Sequence, residues 1–171
     1  MAEDASSWQN FYLMAGGAAA ALTGLIFVAL SLQTRAIMAH RLFKDRAFAS
    51  IQSLLTQIFI SAAVLVPGQP RLAIGLEVEL VAAFFVVRTV FAARLISSLD
   101  TELRRRPGSR WLVEWITWSA WLAIFVASGI ALMTGAPGGY YLLAVSMLYQ
   151  FGFNVYNAWV LIAEVSESQE R

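Results

Sequence analysis

The chain has 171 residues, of which 59% are hydrophobic and 13% charged, and its formal net charge is +1. A soluble domain carries roughly one quarter charged residues, so this composition argues against one, and the near-neutral balance points to no nucleic-acid partner. Cysteine is absent, which removes disulfides, thiolate metal sites and cysteine nucleophiles.

Nothing ionised lies between Asp4 and Arg35, between Arg46 and Arg71, or between Glu114 and Glu164. About 20 apolar residues cover the hydrocarbon core of a bilayer. The last interval is long enough for two crossings, with Gly135-Ala136-Pro137-Gly138-Gly139 as the turn. The expected fold is therefore all-α: one membrane domain, a bundle of five transmembrane helices. A cleaved signal is not expected, because Met1-Ala2-Glu3-Asp4 is acidic where signal peptides begin positively charged.

The first span is expected from about Phe11 to Gln33, with Ser6 or Ser7 as N-cap and Trp8, Phe11 and Tyr12 at the headgroup interface. Within it Gly16, Ala20 and Gly24 recur at i, i+4 and i+8. Small residues let helix backbones approach closely in lipid, so this stripe is expected to face another helix, in the same chain or in a second copy.

The second span is expected from about Ala47 to Val66, ending at Pro67-Gly68-Gln69-Pro70. It carries a polar stripe of Ser50, Ser53, Gln57 and Ser61. The third is expected from about Leu72 to Ile96, continuing as a helix to Arg106 on the acid-first pairs Asp100/Arg104 and Glu102/Arg106. Glu77, Glu79 and Arg88 lie inside this span. A mid-membrane charge costs about 2.5–3.5 kcal/mol on insertion scales. Eleven residues separate Glu77 from Arg88, about 16 Å along the axis. That is too far for a direct pair, so Arg88 snorkels or meets an acceptor such as Glu114, Asn157 or Glu164.

The fourth span is expected from about Trp111 to Thr134 and carries Trp111, Trp115, Trp118 and Trp121. The first two suit the interface. The deeper two pack between helices, or against lipid or a pigment. The fifth is expected from about Tyr140 to Ala163, with Ser146, Gln150, Asn154, Asn157 and Glu164 along one face. Amides in hydrocarbon must find partners, so the stripes on the second and fifth spans are expected to point inward. They either fix packing or line a hydrated path.

Basic residues set the orientation. The loop 34–46 holds Arg35, Arg41, Lys44 and Arg46, and the other basic segment holds Arg94, Arg104, Arg105, Arg106 and Arg110, most of it in the loop 97–110. Only Arg71 lies on the opposite side. The N-terminus is thus expected outside, with both loops and the C-terminus cytoplasmic. Anionic lipid explains the basic loops, and Arg104-Arg105-Arg106 is the best docking surface for a cytoplasmic partner.

His40 is the only histidine. That disfavours histidine-ligated haem and excludes a nucleophile–histidine arrangement within the spans or a histidine-based zinc site from one chain. No metal, cofactor or catalytic residue is expected, and the chain reads as non-enzymatic. The leading expectation is an oligomeric scaffold, accessory or regulatory subunit acting through helix–helix contacts. The alternative is a small homo-oligomeric ion or small-solute channel or carrier, lined by the polar faces of spans two, three and five.

The stretch Gly16-Gly17-Ala18-Ala19-Ala20-Ala21-Leu22-Thr23-Gly24 resembles the first helix of a group of small bacterial integral membrane proteins without assigned function. Some of that group carry the label of modulators of the FtsH membrane protease. The resemblance covers the first span only. It implies a location in the bacterial cytoplasmic membrane and a regulatory role, and it transfers no site residues.

Overall fold

The computed structural model describes the backbone of residues 5–32, 41–98 and 108–169 and the side chains of residues 5–31, 48–91, 94 and 116–159. Among the described residues the fold is all-α. Five helices follow in order: α1 Ala5–Leu32, α2 Arg41–Leu65, α3 Arg71–Ser98, α4 Gly108–Thr134 and α5 Gly139–Gln169. Ser6 and Ser7 fall inside the first turn of α1 rather than ahead of it. The expected extension of the third helix to Arg106 lies outside the described residues, as do most of the loops 34–46 and 97–110.

Three segments are long and apolar enough to cross a membrane by length and composition: Ala5–Ser31, Phe48–Leu65 and Ile116–Thr134. Helices α3 and α5 have 28 and 31 residues, about 42 and 46 Å at 1.5 Å per residue. Length is therefore not what sets them apart. Glu77, Glu79, Arg88 and Arg94 interrupt α3, while Gln150, Asn154 and Asn157 dilute α5.

The chain divides into two compact units, with the boundary inside α5. The first holds α3, α4 and the start of α5. Helix α3 packs on α4. Its buried face is Ile74, Val78, Ala82 and Phe85, and that of α4 is Trp121, Phe125, Ser128 and Leu132. Both rows follow the helical period, and apolar side chains make up most of their contact. Trp121 stacks on Phe125 at 5.2 Å and meets Phe85 edge-on at 5.4 Å. Trp118 closes the cluster against Trp121 and Phe85. The deeper tryptophans thus pack on neighbouring rings.

Glycine sets how closely α3 and α4 approach. A methyl group placed on Gly75 would meet Met133 Cγ at 2.6 Å, the Gly129 carbonyl at 2.8 Å and the Met133 nitrogen at 2.9 Å. Two of those three atoms are backbone and cannot step aside. After α4, Gly135 and Gly138 adopt φ of 72° and 85°, a left-handed conformation that glycine enters without steric cost. That reverses the chain into α5.

The second unit holds α1, α2 and α5 from Met147 onward. Helix α1 packs on α2. Its buried residues are Tyr12, Ala15 and Ala19, with Gly16 beside them half-buried. The expected stripe of Gly16, Ala20 and Gly24 is therefore split: Gly16 sits at the contact, whereas Ala20 and Gly24 are exposed. Tyr12, expected at the headgroup interface, is fully buried. In so alanine-rich a helix neighbouring faces are equally small, and the bulky Tyr12 decides which one turns inward.

Large apolar side chains cover the outside. Leu80, Phe91 and Phe59 are 71%, 70% and 69% exposed. A water-facing surface of this kind would associate; hydrocarbon solvates it without penalty.

The tight α3–α4 approach yields a direct expectation. Gly75→Ala overpacks against backbone and lowers stability by about 1–3 kcal/mol, read as a lower thermal midpoint in detergent. Gly17→Ala, with open space beyond it, leaves the midpoint unchanged.

Candidate functional site

Polar side chains within these apolar helices gather in two places, one in each unit. In the first unit they cluster where α3 begins. The Pro70 carbonyl accepts from the Ala73 amide at 2.9 Å and starts the helix. Gln69 Nε2 donates to Glu77 Oε1 at 2.8 Å. Arg71 Nη2 donates to the Ala136 carbonyl at 3.1 Å, and its guanidinium lies 5.4 Å from the centre of the Tyr140 ring. Arg71 therefore ties the start of α3 to the turn between α4 and α5. Tyr140 and Gly139 are buried beneath that turn.

Glu79 stands apart from Glu77, because two residues on a helix point to different faces. Its carboxylate lies over Gly129, where a methyl group would run into it. Gly129 thus serves both the approach of α3 to α4 and the seating of Glu79. Arg88 is half-buried. The side chains of Glu114 and Glu164, expected as its acceptors, lie outside the described residues. Among the described residues no three carboxylate or histidine side chains gather as a metal site would require.

The second unit holds a longer polar seam. Ser50, Ser53, Gln57 and Ser61 are all buried on one face of α2. Asn154 and Gln150 of α5 are buried as well, and Asn157 is half-buried. The Ser53 hydroxyl bridges to Asn154 Oδ1 and lies 3.1 Å from the Ser50 carbonyl. One hydroxyl has one proton. If Ser53 donates to Ser50, the Asn154 amide turns to donate its Nδ2 to Ser53. In either orientation one polar atom of Asn154 stays unpartnered.

Further along α2 the polar atoms go unmatched. Both amide atoms of Gln57 and the Ser61 hydroxyl are buried without a hydrogen-bond partner. Gln57 is only 1% exposed and Ser61 2%. On the α1 side a methyl placed on Gly16 would meet Ser61 Cβ at 2.8 Å and Oγ at 3.2 Å. Glycine at position 16 is what leaves room for the Ser61 side chain. Contrast Ser128 and Ser146, whose hydroxyls are satisfied within their own helices by the Phe125 and Leu143 carbonyls.

Of the residues singled out in the sequence, Asn154 meets the α2 stripe at Ser53, Gln57 lies one turn further along that stripe, and Gly16 stands against Ser61; Gln150 is buried on α5. Glu77 and Glu79 sit on different faces of α3. Sequence reasoning overlooked the Arg71–Ala136–Tyr140 clasp and the Gly75–Gly129 approach. A usable signal for the second was present: lone glycines inside apolar helices mark close contacts.

No protein-family model, no curated protein and no solved structure matches this chain.

The Ser53–Asn154 contact has a measurable worth. Interhelical hydrogen bonds in membranes average about 0.6 kcal/mol and reach about 1.7. A double-mutant cycle of Ser53→Ala and Asn154→Leu, followed by detergent melting, is expected to give a coupling in that range. Additive effects would show that the two side chains do not depend on each other.

Proposed function

We propose that this chain is a non-enzymatic integral membrane protein of the bacterial cytoplasmic membrane. All five helices cross the bilayer, the N-terminus lies outside, and the basic segments and C-terminus are cytoplasmic. It acts through helix–helix contacts, as a homo-oligomer or as an accessory or regulatory subunit beside another membrane protein.

One observation carries this reading: α1 keeps a face of small residues that no other described residue covers. Gly17, Ala20, Ala21 and Gly24 are exposed. Beyond Gly17 and Gly24 nothing lies within 4 Å of where a methyl group would stand. Small residues offer lipid nothing that leucine would not. Their value lies in letting a second helix approach to backbone distance. The resemblance of the first span to a group with regulatory labels agrees with such a role. Seating the basic loops against anionic lipid would hold that face at a fixed depth.

Two charged residues at the start of α3 fit a crossing under this reading: Gln69 holds Glu77 Oε1, and the turn carbonyl of Ala136 holds Arg71. Glu77 Oε2 and Glu79 Oε1 stay buried without a hydrogen-bond partner.

Crosslinking tests the proposal. Gly24→Leu is expected to cut crosslinked oligomer, or recovered partner, by about tenfold without lowering the thermal midpoint, since the site faces open space. If complexes form undiminished in Gly24→Leu and Ala20→Leu, this face is not the contact.

A further inference from the structure

The unmatched polar atoms of the second unit call for an occupant. An amide or hydroxyl buried without a partner costs several kcal/mol in an environment that cannot hydrogen-bond. Gln57 Oε1 and Nε2, Ser61 Oγ and one polar atom of Asn154 are all in that position. They lie in one row: Asn154 is bound at Ser53, Gln57 is one helical turn on, and Ser61 is one turn beyond that. From Ser53 to Ser61 is about 12 Å along the helix, the length of roughly four hydrogen-bonded waters.

The row also has reach. The apolar stretch of α2 runs Phe48–Leu65. Buried polar residues occupy it from Ser50, near one end, to Ser61, about one turn from the other. Ser53 is satisfied at Asn154 and Ser50, so the unmatched atoms run from Asn154 through Gln57 to Ser61.

The chemistry of the row selects its occupant. Gln57 offers an acceptor and a donor, Ser61 offers both, and Asn154 offers one more. Among the described residues of this face there is no carboxylate and no base. A hard cation takes six or more oxygens, and two free acceptors fall far short. An anion would meet donors but no positive charge. Moving either out of water costs far more than these contacts return. A neutral molecule that both donates and accepts matches every free atom.

We propose that the face of Ser53, Gln57, Ser61 and Asn154, walled by Gly16, binds and passes small uncharged hydrogen-bonding molecules, with water first and solutes of urea or glycerol size next. This narrows the wider channel alternative in two ways. The path runs within one chain along α2 and α5, and its cargo carries no charge. It stands independently of the contact role of α1.

The test is osmotic. The full chain is reconstituted into liposomes, and shrinkage after a sucrose step is followed by stopped-flow light scattering, with urea and glycerol gradients in parallel. Water permeability is expected to rise several-fold above protein-free vesicles. Gln57→Leu returns it to background, and Ser61→Ala lowers it in part. Sodium and potassium flux stay at background throughout. Should Gln57→Leu fail to fold, Ser61→Ala and Asn154→Ser decide the matter by the same readout. Wild-type vesicles that shrink no faster than empty ones would overturn the proposal. A cation flux abolished by Gln57→Leu would overturn the neutral cargo. Gly24→Leu separates the two roles: it leaves water permeability unchanged even where it dissolves the oligomer, and loss of permeability in that variant would overturn the single-chain path.

Discussion

Three helices are long and apolar enough to cross a membrane, and in the proposed bilayer setting hydrocarbon offers an apolar side chain no reason to leave it, a constraint that bears on every contact. In water, burying Leu80 or Phe59 would drive helices together. Here such residues stay outside, more than two thirds exposed. Cohesion has to come from backbone-distance packing and from polar groups that lipid cannot satisfy. The first unit relies on the former. Gly75 lets α3 approach the Gly129 carbonyl, and the Phe85–Trp118–Trp121–Phe125 rings fill the space beside it. Its polar clasp, Arg71 on Ala136 over Tyr140, fastens one end.

The second unit uses close packing too. Its α1–α2 contact is extensive and rests on the small residues Ala15, Gly16 and Ala19, and one face of α2 adds buried hydroxyls and an amide. A chain under selection for stability alone would replace Gln57 by leucine or methionine, because an apolar isostere removes a desolvation cost at no loss of contacts. Both amide atoms of Gln57 are unmatched, and a small neutral molecule of the kind proposed would satisfy them. The first unit also buries polar atoms without a partner, Glu79 Oε1 and Trp121 Nε1 among them; the second differs in setting its own along one face of α2, at Gln57 and Ser61.

Much of this was legible from charge alone. The three ion-free intervals, with the break at Gly135–Gly139, mark out four of the five helices; α3, which carries charges, is delimited on one side only, by Pro67-Gly68. The four-residue spacing of Ser53, Gln57 and Ser61 marks the face that is buried, because polar groups in an apolar helix have only one direction to go. What stayed illegible depends on pairing. Ala15 and Ala19 are as small as Ala20, so nothing local says which face of α1 meets α2; the fit of Tyr12 decides it. Gly75 and Gly129 lie more than fifty residues apart, and only their meeting explains either. The one hydrogen bond that Glu77 Oε1 accepts comes from Gln69, a residue that reads as part of a turn.

The absence of cysteine makes the membrane account directly measurable, because any single introduced thiol is the only one. In spheroplasts, a membrane-impermeant maleimide is expected to label Pro137→Cys, in the exposed turn before α5, at once. Arg104→Cys should label only after the membrane is opened. Labelling of Arg104→Cys in sealed spheroplasts, or recovery of the wild-type chain in the soluble fraction without detergent, would contradict the five-crossing arrangement and everything built on it.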